Sequence, residues 1–412
     1  MKKQESSYRW VVFGSVLFAY FLIVSQRTAP GLITDQLMWE FQVSGAVIGL
    51  ISSVQFFAYA GLQIPSGLLS DRFGPNHFLI IGTFLAGVGT VLYSISTYEY
   101  MLMVARLIVG VGDATIFINL VLILTQWFMG REFIKLLGFV SLTASVGSLV
   151  ATVPFSMWIS VTGWRAHFIT IGIMLIALSA ILYFILVVKP RGKFQEDERK
   201  DPKKRENVSS ILHRTFTSRQ AWATFMCHFG VVGAYVGFIG SWGVPFGIHV
   251  FDMSRAEASG FMMVGLVGAM IGGPLISYIT SRLQAIKKIY SIIHLTVFIS
   301  WIGMFFLGVN SYVAVVILLF IIGFGNGASS LTFAVVRESF PVEEVGVVTG
   351  FANTGGFLSA ELLPIIFGKV LDVFSQDSFL VGYHYGFMIP VLFSLIGLVG
   401  VSMIKEKRSV HS

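Results

Sequence analysis

Charge is scarce in this 412-residue chain: Asp, Glu, Lys and Arg make up 12% of it, where ordinary soluble domains hold about 25%. With 55% hydrophobic side chains and a mean hydropathy of +0.81, it is not a soluble globular protein. Cysteine is scarcer still. Cys227 stands alone, so no disulfide framework can form within the chain and no oxidising compartment is implied. Several enzyme signatures are missing. There is no G-x-x-x-x-G-K-[ST] phosphate loop to power a nucleotide-driven pump, no H-E-x-x-H or C-x-x-C for metal or thiol chemistry, and no G-x-S-x-G elbow. Enzymatic activity, a cofactor and a metal are therefore not expected. Nor do the apolar blocks alternate with polar residues in the ~10-residue strands of a transmembrane barrel.

What is present is a series of continuous apolar runs, each near the ~20 residues that spanning a bilayer requires, and rich in the chain's 43 glycines. They predict an all-α membrane protein with twelve helices near 9–31, 45–66, 77–96, 100–127, 135–158, 167–188, 218–247, 258–280, 289–308, 312–335, 346–371 and 383–404. The first run is too long for a signal peptide and has no small-residue cleavage site before Arg27, so it reads as a retained helix. One long polar segment divides six spans from six. This predicts an N-terminal half over 1–188, a cytoplasmic linker over 189–217 and a C-terminal half over 218–412. Ten basic and five acidic residues lie between Lys189 and Arg219. They suit a solvated linker or, alternatively, a segment drawn to anionic headgroups.

The net charge of +7 acquires its meaning from position. With the N-terminus in the cytoplasm, 23 of the 28 Lys and Arg fall in cytoplasmic segments, while the outer loops hold only Arg165, Arg255 and Lys369. The positive-inside rule then places both termini in the cytoplasm of a multi-pass protein of the cell (plasma or inner) membrane. The basic balance is a topology signal and gives no reason to expect a nucleic-acid partner. The lipid bilayer and a small-molecule substrate are the partners expected, and the chain is expected to act as a monomer.

Between the second and third spans stands Gly67-Leu68-Leu69-Ser70-Asp71-Arg72-Phe73-Gly74-Pro75. A small residue at Gly67 permits close helix approach, Asp71 at a helix end can pair with a basic group on a neighbouring helix, and Gly74 permits a tight turn. A shift of 210 residues finds a degraded echo, Ser277-Tyr278-Ile279-Thr280-Ser281-Arg282, in which Arg282 answers Arg72 and Ser281 replaces Asp71. The first stretch resembles the G-x-L-[SA]-D-R-x-G-R-[RK] loop signature of the major facilitator superfamily, with Pro75-Asn76-His77 in place of the trailing basic residues. Arg106-Leu-Ile-Val-Gly110-Val-Gly112-Asp113 is similar to that superfamily's R-x-x-x-G-x-G motif. Gln63-Ile64-Pro65, Gly163-Trp164-Arg165 and Gly350-Phe-Ala-Asn353-Thr-Gly-Gly356 add further likeness. The resemblance, closest to the bacterial organic-anion and sugar-phosphate-permease-like branch, implies the two-halved fold and a central cavity lined by spans 1, 4, 7 and 10. It also implies a conformational latch at Gly67, Asp71, Arg72, Gly74 and Arg282.

A charge inside a span is costly, which makes each one a functional candidate. Arg106 and Asp113, seven residues and about 700° apart, share a helix face. Arg27 lies in the outer third of the first span, where it either snorkels to the interface or, with Arg106, forms a positive site for a carboxylate. Gln55, Tyr59, Trp242 and Asn326 are candidates for lining the same pocket. Glu361, Asp113 and His228 are proton-coupling candidates. Glu361 qualifies because apolar surroundings disfavour a charged carboxyl, and His228 because it falls near mid-depth of its span. The expected function is secondary active transport by alternating access: proton-driven symport of a small organic anion bearing a carboxylate. Proton-coupled efflux, dipeptide or neutral-solute uniport, and a membrane sensor that binds without transporting remain alternatives.

Overall fold

The computed structural model describes residues 7–43, 45–151, 153–188, 207–374 and 378–405. Regular structure among them is helical. The first part of the chain forms α1 (Tyr8–Thr28), α2 (Thr34–Phe41), α3 (Gly45–Phe73), α4 (Pro75–Ser94), α5 (Glu99–Trp127), α6 (Gly130–Val150), α7 (Val153–Thr162) and α8 (Trp164–Tyr183). After α9 (Val208–Thr217) come α10 (Arg219–His228), α11 (Ala234–Gly237), α12 (Gly243–Phe251), α13 (Arg255–Leu283) and α14 (Ile286–Leu307). The remainder is α15 (Tyr312–Gly327), α16 (Leu331–Ser339), α17 (Val345–Phe374), α18 (Phe379–Gly386) and α19 (Met388–Met403).

Among the described residues, ten helical stretches are long and apolar enough to cross a bilayer, and all ten coincide with predicted spans. Helices α3 and α17, of 29 and 30 residues, stand where the second and eleventh spans are expected. Several spans are less regular than their hydropathy suggests. The fifth is divided between α6 and α7 just before Pro154, a residue that tolerates only the first turn of a helix. The seventh contains two π-helical turns, Phe229–Gly233 and Phe238–Trp242, and the tenth a 3-10 turn, Ala328–Ser330. Of the linker, residues 189–206 lie outside the described residues, and Val208–Thr217 forms α9 rather than open chain.

The signature between the second and third spans is not a loop. Helix α3 runs through Gly67 to Phe73, and only Gly74, at φ +91°, turns the chain before Pro75 opens α4. That is the division of labour expected of a glycine outside a helix end and a proline at a helix start.

The described residues group into two compact units. One contains those of Met1–Met129, Thr143–Val208 and Val342–Gly350; the other those of Gly130–Leu142, Ser209–Pro341 and Phe351–Ser412. Two short segments thus group away from the halves drawn from the sequence, and small residues explain both. In the first unit, a Cβ on Gly67 would lie 2.3 Å from the Gly346 carbonyl oxygen, so backbone meets backbone there. In the second, a Cβ on Gly138 would lie 2.8 Å from the Ser277 Cβ and 2.9 Å from the Gly273 oxygen. Close approach through small residues is a standard way for membrane helices to associate.

Within the first unit α4 packs against α5 and α8, and α3 against α5. The second has an aromatic core in which Phe238, Phe246, Trp301, Phe367 and Phe387 are all buried. Large apolar side chains also face outward, Phe57 at 75% and Val161 at 85% exposure among them. A lipid environment solvates such a surface, and water does not.

Candidate functional site

The first unit gathers four of the predicted residues. Arg27 lies in the last turn of α1, which passes into a 3-10 turn at Ala29–Ile33. Its guanidinium meets Asp113 of α5 as a fork: Nε donates to Oδ2 at 2.8 Å and Nη2 to Oδ1 at 2.7 Å. Gln55 of α3 donates from Nε2 to the same Oδ2 at 3.3 Å. The ring of Tyr59, one helical turn further along α3, lies 4.7 Å from the guanidinium carbon. Asp113 is 1% exposed and Arg27 14%, so this is a largely desolvated, bidentate pair in which geometry and charge reinforce one another. Gly110 lets it form. A Cβ there would lie 2.5 Å from the Gln55 carbonyl oxygen, so the glycine of the R-x-x-x-G motif allows α3 to approach closely enough for Gln55 to reach Asp113.

Helical periodicity places Arg106 and Asp113 on one face of α5, but the carboxylate bonds Arg27 of another helix. Arg106 instead lies over the Tyr93 ring, 5.8 Å from its centroid. It is 2% exposed, and neither Nε nor Nη1 finds a hydrogen-bond partner among the described residues. Buried polar groups are nearly always bonded, so a buried guanidinium in this condition is set apart from structural charges. Snorkelling does not describe Arg27 either, since its head group turns inward to Asp113.

Two residues near this pair escaped the sequence reading. Tyr20 is buried on α1, within electrostatic reach of Arg27, Asp113 and Tyr59, and its ring lies 5.8 Å from that of Phe117. Gln26 is 2% exposed with its Oε1 unbonded among the described residues. The signal for Tyr20 is its seven-residue spacing from Arg27, the same criterion that paired Arg106 with Asp113.

The other pocket and coupling candidates belong to the second unit. His228 is buried, with Nδ1 3.3 Å from Thr332 Oγ1 and a hydrogen bond to the Asn353 side chain. Trp242 donates from Nε1 to the Pro364 carbonyl at 3.0 Å and stacks on Phe367. Asn326 is half-buried, with Oδ1 unbonded among the described residues. Glu361 lies exposed on α17. No hydrogen bond joins these four to one another among the described residues, in contrast to the cluster around Asp113.

At the signature, Asp71 bonds backbone of α17. Its two carboxylate oxygens accept the Gly346 and Val347 N–H groups, each at 2.8 Å, in the first turn of α17. A helix start offers unbonded N–H groups and a positive dipole end, so it suits a carboxylate as well as a cation would. Arg72 lies over the Phe73 ring. In the echo, Arg282 donates from Nε to Tyr278 Oη at 3.2 Å, and Ser281 turns its hydroxyl back to the Tyr278 carbonyl at 2.7 Å.

These features agree with the comparisons to known proteins. The model of the Major Facilitator Superfamily matches residues 16–364. The probable sulfoacetate transporter SauU of Cupriavidus necator is 24% identical over 395 residues, spanning 90% of this chain and 89% of that protein. The probable galactarate/D-glucarate transporter GudP of Bacillus subtilis is 23% identical over 405 residues, spanning 90% and 87%. Among solved structures, the E. coli fucose:proton symporter FucP superposes with a TM-score of 0.77 at 17% identity, covering 98% of this chain and all of that one, a likeness of fold.

Proposed function

The chain belongs to the Major Facilitator Superfamily, a family of membrane transporters and not of enzymes, and from that premise we propose that it is a proton-coupled symporter of a small carboxylate-bearing anion. In this reading twelve helices in two halves alternate a central cavity between the membrane faces, with both termini cytoplasmic. The relatives named above are described as transporters of anions, which supports the substrate class.

The observation that carries the reading is the buried fork between Arg27 and Asp113. A guanidinium is shaped to receive a carboxylate through two parallel N–H bonds, and here Asp113 occupies that position. Protonating Asp113 removes its charge and frees Arg27 for the carboxylate of a substrate. Without that substrate, Arg27 would lose its carboxylate partner, and removing one partner of a buried pair costs about 3–5 kcal/mol. Proton and anion therefore favour each other's binding, which is the thermodynamic content of symport. Gln55 remains beside Asp113 throughout, and Arg106, on the same helix as Asp113, adds a second buried guanidinium within electrostatic reach of that carboxylate.

Proteoliposomes loaded with a pH indicator and offered a panel of hydroxy-acid and sugar-acid carboxylates test this. An accepted carboxylate should acidify the lumen as it enters. Arg27→Ala should lose uptake, while Asp113→Asn should keep carboxylate exchange but lose accumulation driven by a proton gradient. A carboxylate that enters without moving protons under any imposed gradient would refute the symport mechanism.

A further inference from the structure

Two helices of the second unit lose their regular winding, and they do so beside residues that are bonded to each other. Helix α10 enters the π-helical turn Phe229–Gly233 immediately after His228. Helix α15 gives way after Gly327 to the 3-10 turn Ala328–Ser330, α16 begins directly after it at Leu331, and Thr332 is the second residue of α16. His228 Nδ1 and Thr332 Oγ1 are 3.3 Å apart, and Thr332 Oγ1 is 2.7 Å from Tyr290 Oη. Tyr290 belongs to α14, which runs unbroken from Ile286 to Leu307. All three side chains are at most 4% exposed.

Such irregular turns replace the regular i→i−4 ladder, so they are the places where a helix changes direction at least cost. A plain packing role does not call for polar groups here, because apolar side chains of similar size would fill the same volume without desolvating an imidazole and two hydroxyls. The site is also shaped for the ring: a Cβ on Gly356 of α17 would lie 2.5 Å from His228 Cδ2.

We propose that His228, Thr332 and Tyr290 form a hinge pin, which ties the bending points of two helices to a straight third helix and holds both at one angle until its hydrogen bonds are remade. The pin rests on the alternating-access reading for its purpose. Its existence is testable without any substrate.

Hydrogen exchange followed by mass spectrometry on the full-length protein in nanodiscs provides the measurement. Thr332→Val keeps the volume and removes the central hydroxyl, so exchange over residues 229–233 and 328–330 should rise about fivefold, the effect of losing one net hydrogen bond. Exchange along α14 should stay unchanged. Tyr290→Phe should act in the same direction, and Thr332→Ser should restore protection. Spin labels at Ser241 and Phe306, both exposed, should show a broader distance distribution in Thr332→Val than in the parent protein. Unchanged exchange in both turns in Thr332→Val and Tyr290→Phe would overturn the pin, as would a uniform rise across the whole unit, which is the signature of lost packing. Either result stands whether or not a carboxylate is transported, so failure of the pin and failure of the symport mechanism are separable.

Discussion

Arg106 places a guanidinium in the interior of the first unit, over the Tyr93 ring and within electrostatic reach of Asp113, with Nε and Nη1 unbonded among the described residues. Burying a cation carries a desolvation cost that such contacts are expected to offset only in part. The expectation is that its charge serves a ligand. Replacing it with methionine keeps much of the volume and removes the charge. Purified Arg106→Met should therefore melt above the parent protein without ligand, and a carboxylate that raises the parent's Tm should raise the variant's far less. A variant that melts lower when empty would show that the charge is balanced after all. Arg27, Arg106 and Asp113 were readable in the sequence because a charge inside an apolar run is conspicuous. Their partners were not. Periodicity reports which residues share a face of one helix, whereas the Arg27 fork joins two helices whose rotations only the fold decides. Tyr20 and Gln26 stayed hidden because an uncharged side chain in an apolar helix carries little contrast.

At the scale of elements, the contact between α3 and the start of α17 within the first unit is held by a carboxylate on two amides and by glycine on glycine. Neither amide has a side-chain signature, which is why these two bonds leave no sign in the sequence. The start of α17 was nonetheless legible, since Pro341 and the acidic pair Glu343 and Glu344 precede it in the manner of a helix N-terminus. Asp71→Asn retains one acceptor but loses the charge facing the helix dipole, a contribution of about 0.3–1 kcal/mol. Amide exchange over residues 345–350 should accelerate in that variant while the Arg27–Asp113 region keeps its protection. Equal protection in variant and parent would mean that Asp71 does not stabilise the contact. The π-helical and 3-10 turns had no counterpart in the sequence reading, because hydropathy averages over a span and is insensitive to a change of one residue per turn.

For the whole molecule, the distribution of basic residues makes the strongest demand. Cytoplasmic placement of both termini puts 23 of 28 Lys and Arg on one side, against three in the outer loops. One of those three, Arg165, is locally balanced: it pairs with Glu40 and donates to the Ser94 and Ser96 carbonyls at 2.6 and 2.8 Å. Alkaline phosphatase fused after Gly163 or Asp252 should be active, because those junctions face outward in this orientation, and fusions after Gly74 or Gln284 should be inactive. A fluorescent protein at the C-terminus should light up, as it does only in the cytoplasm. Phosphatase activity at Gly74 would reverse the topology. In an alternating-access symporter the gradients, and not the orientation of the chain, set the direction of net flux, so either topology leaves the Arg27–Asp113 mechanism to its own transport test.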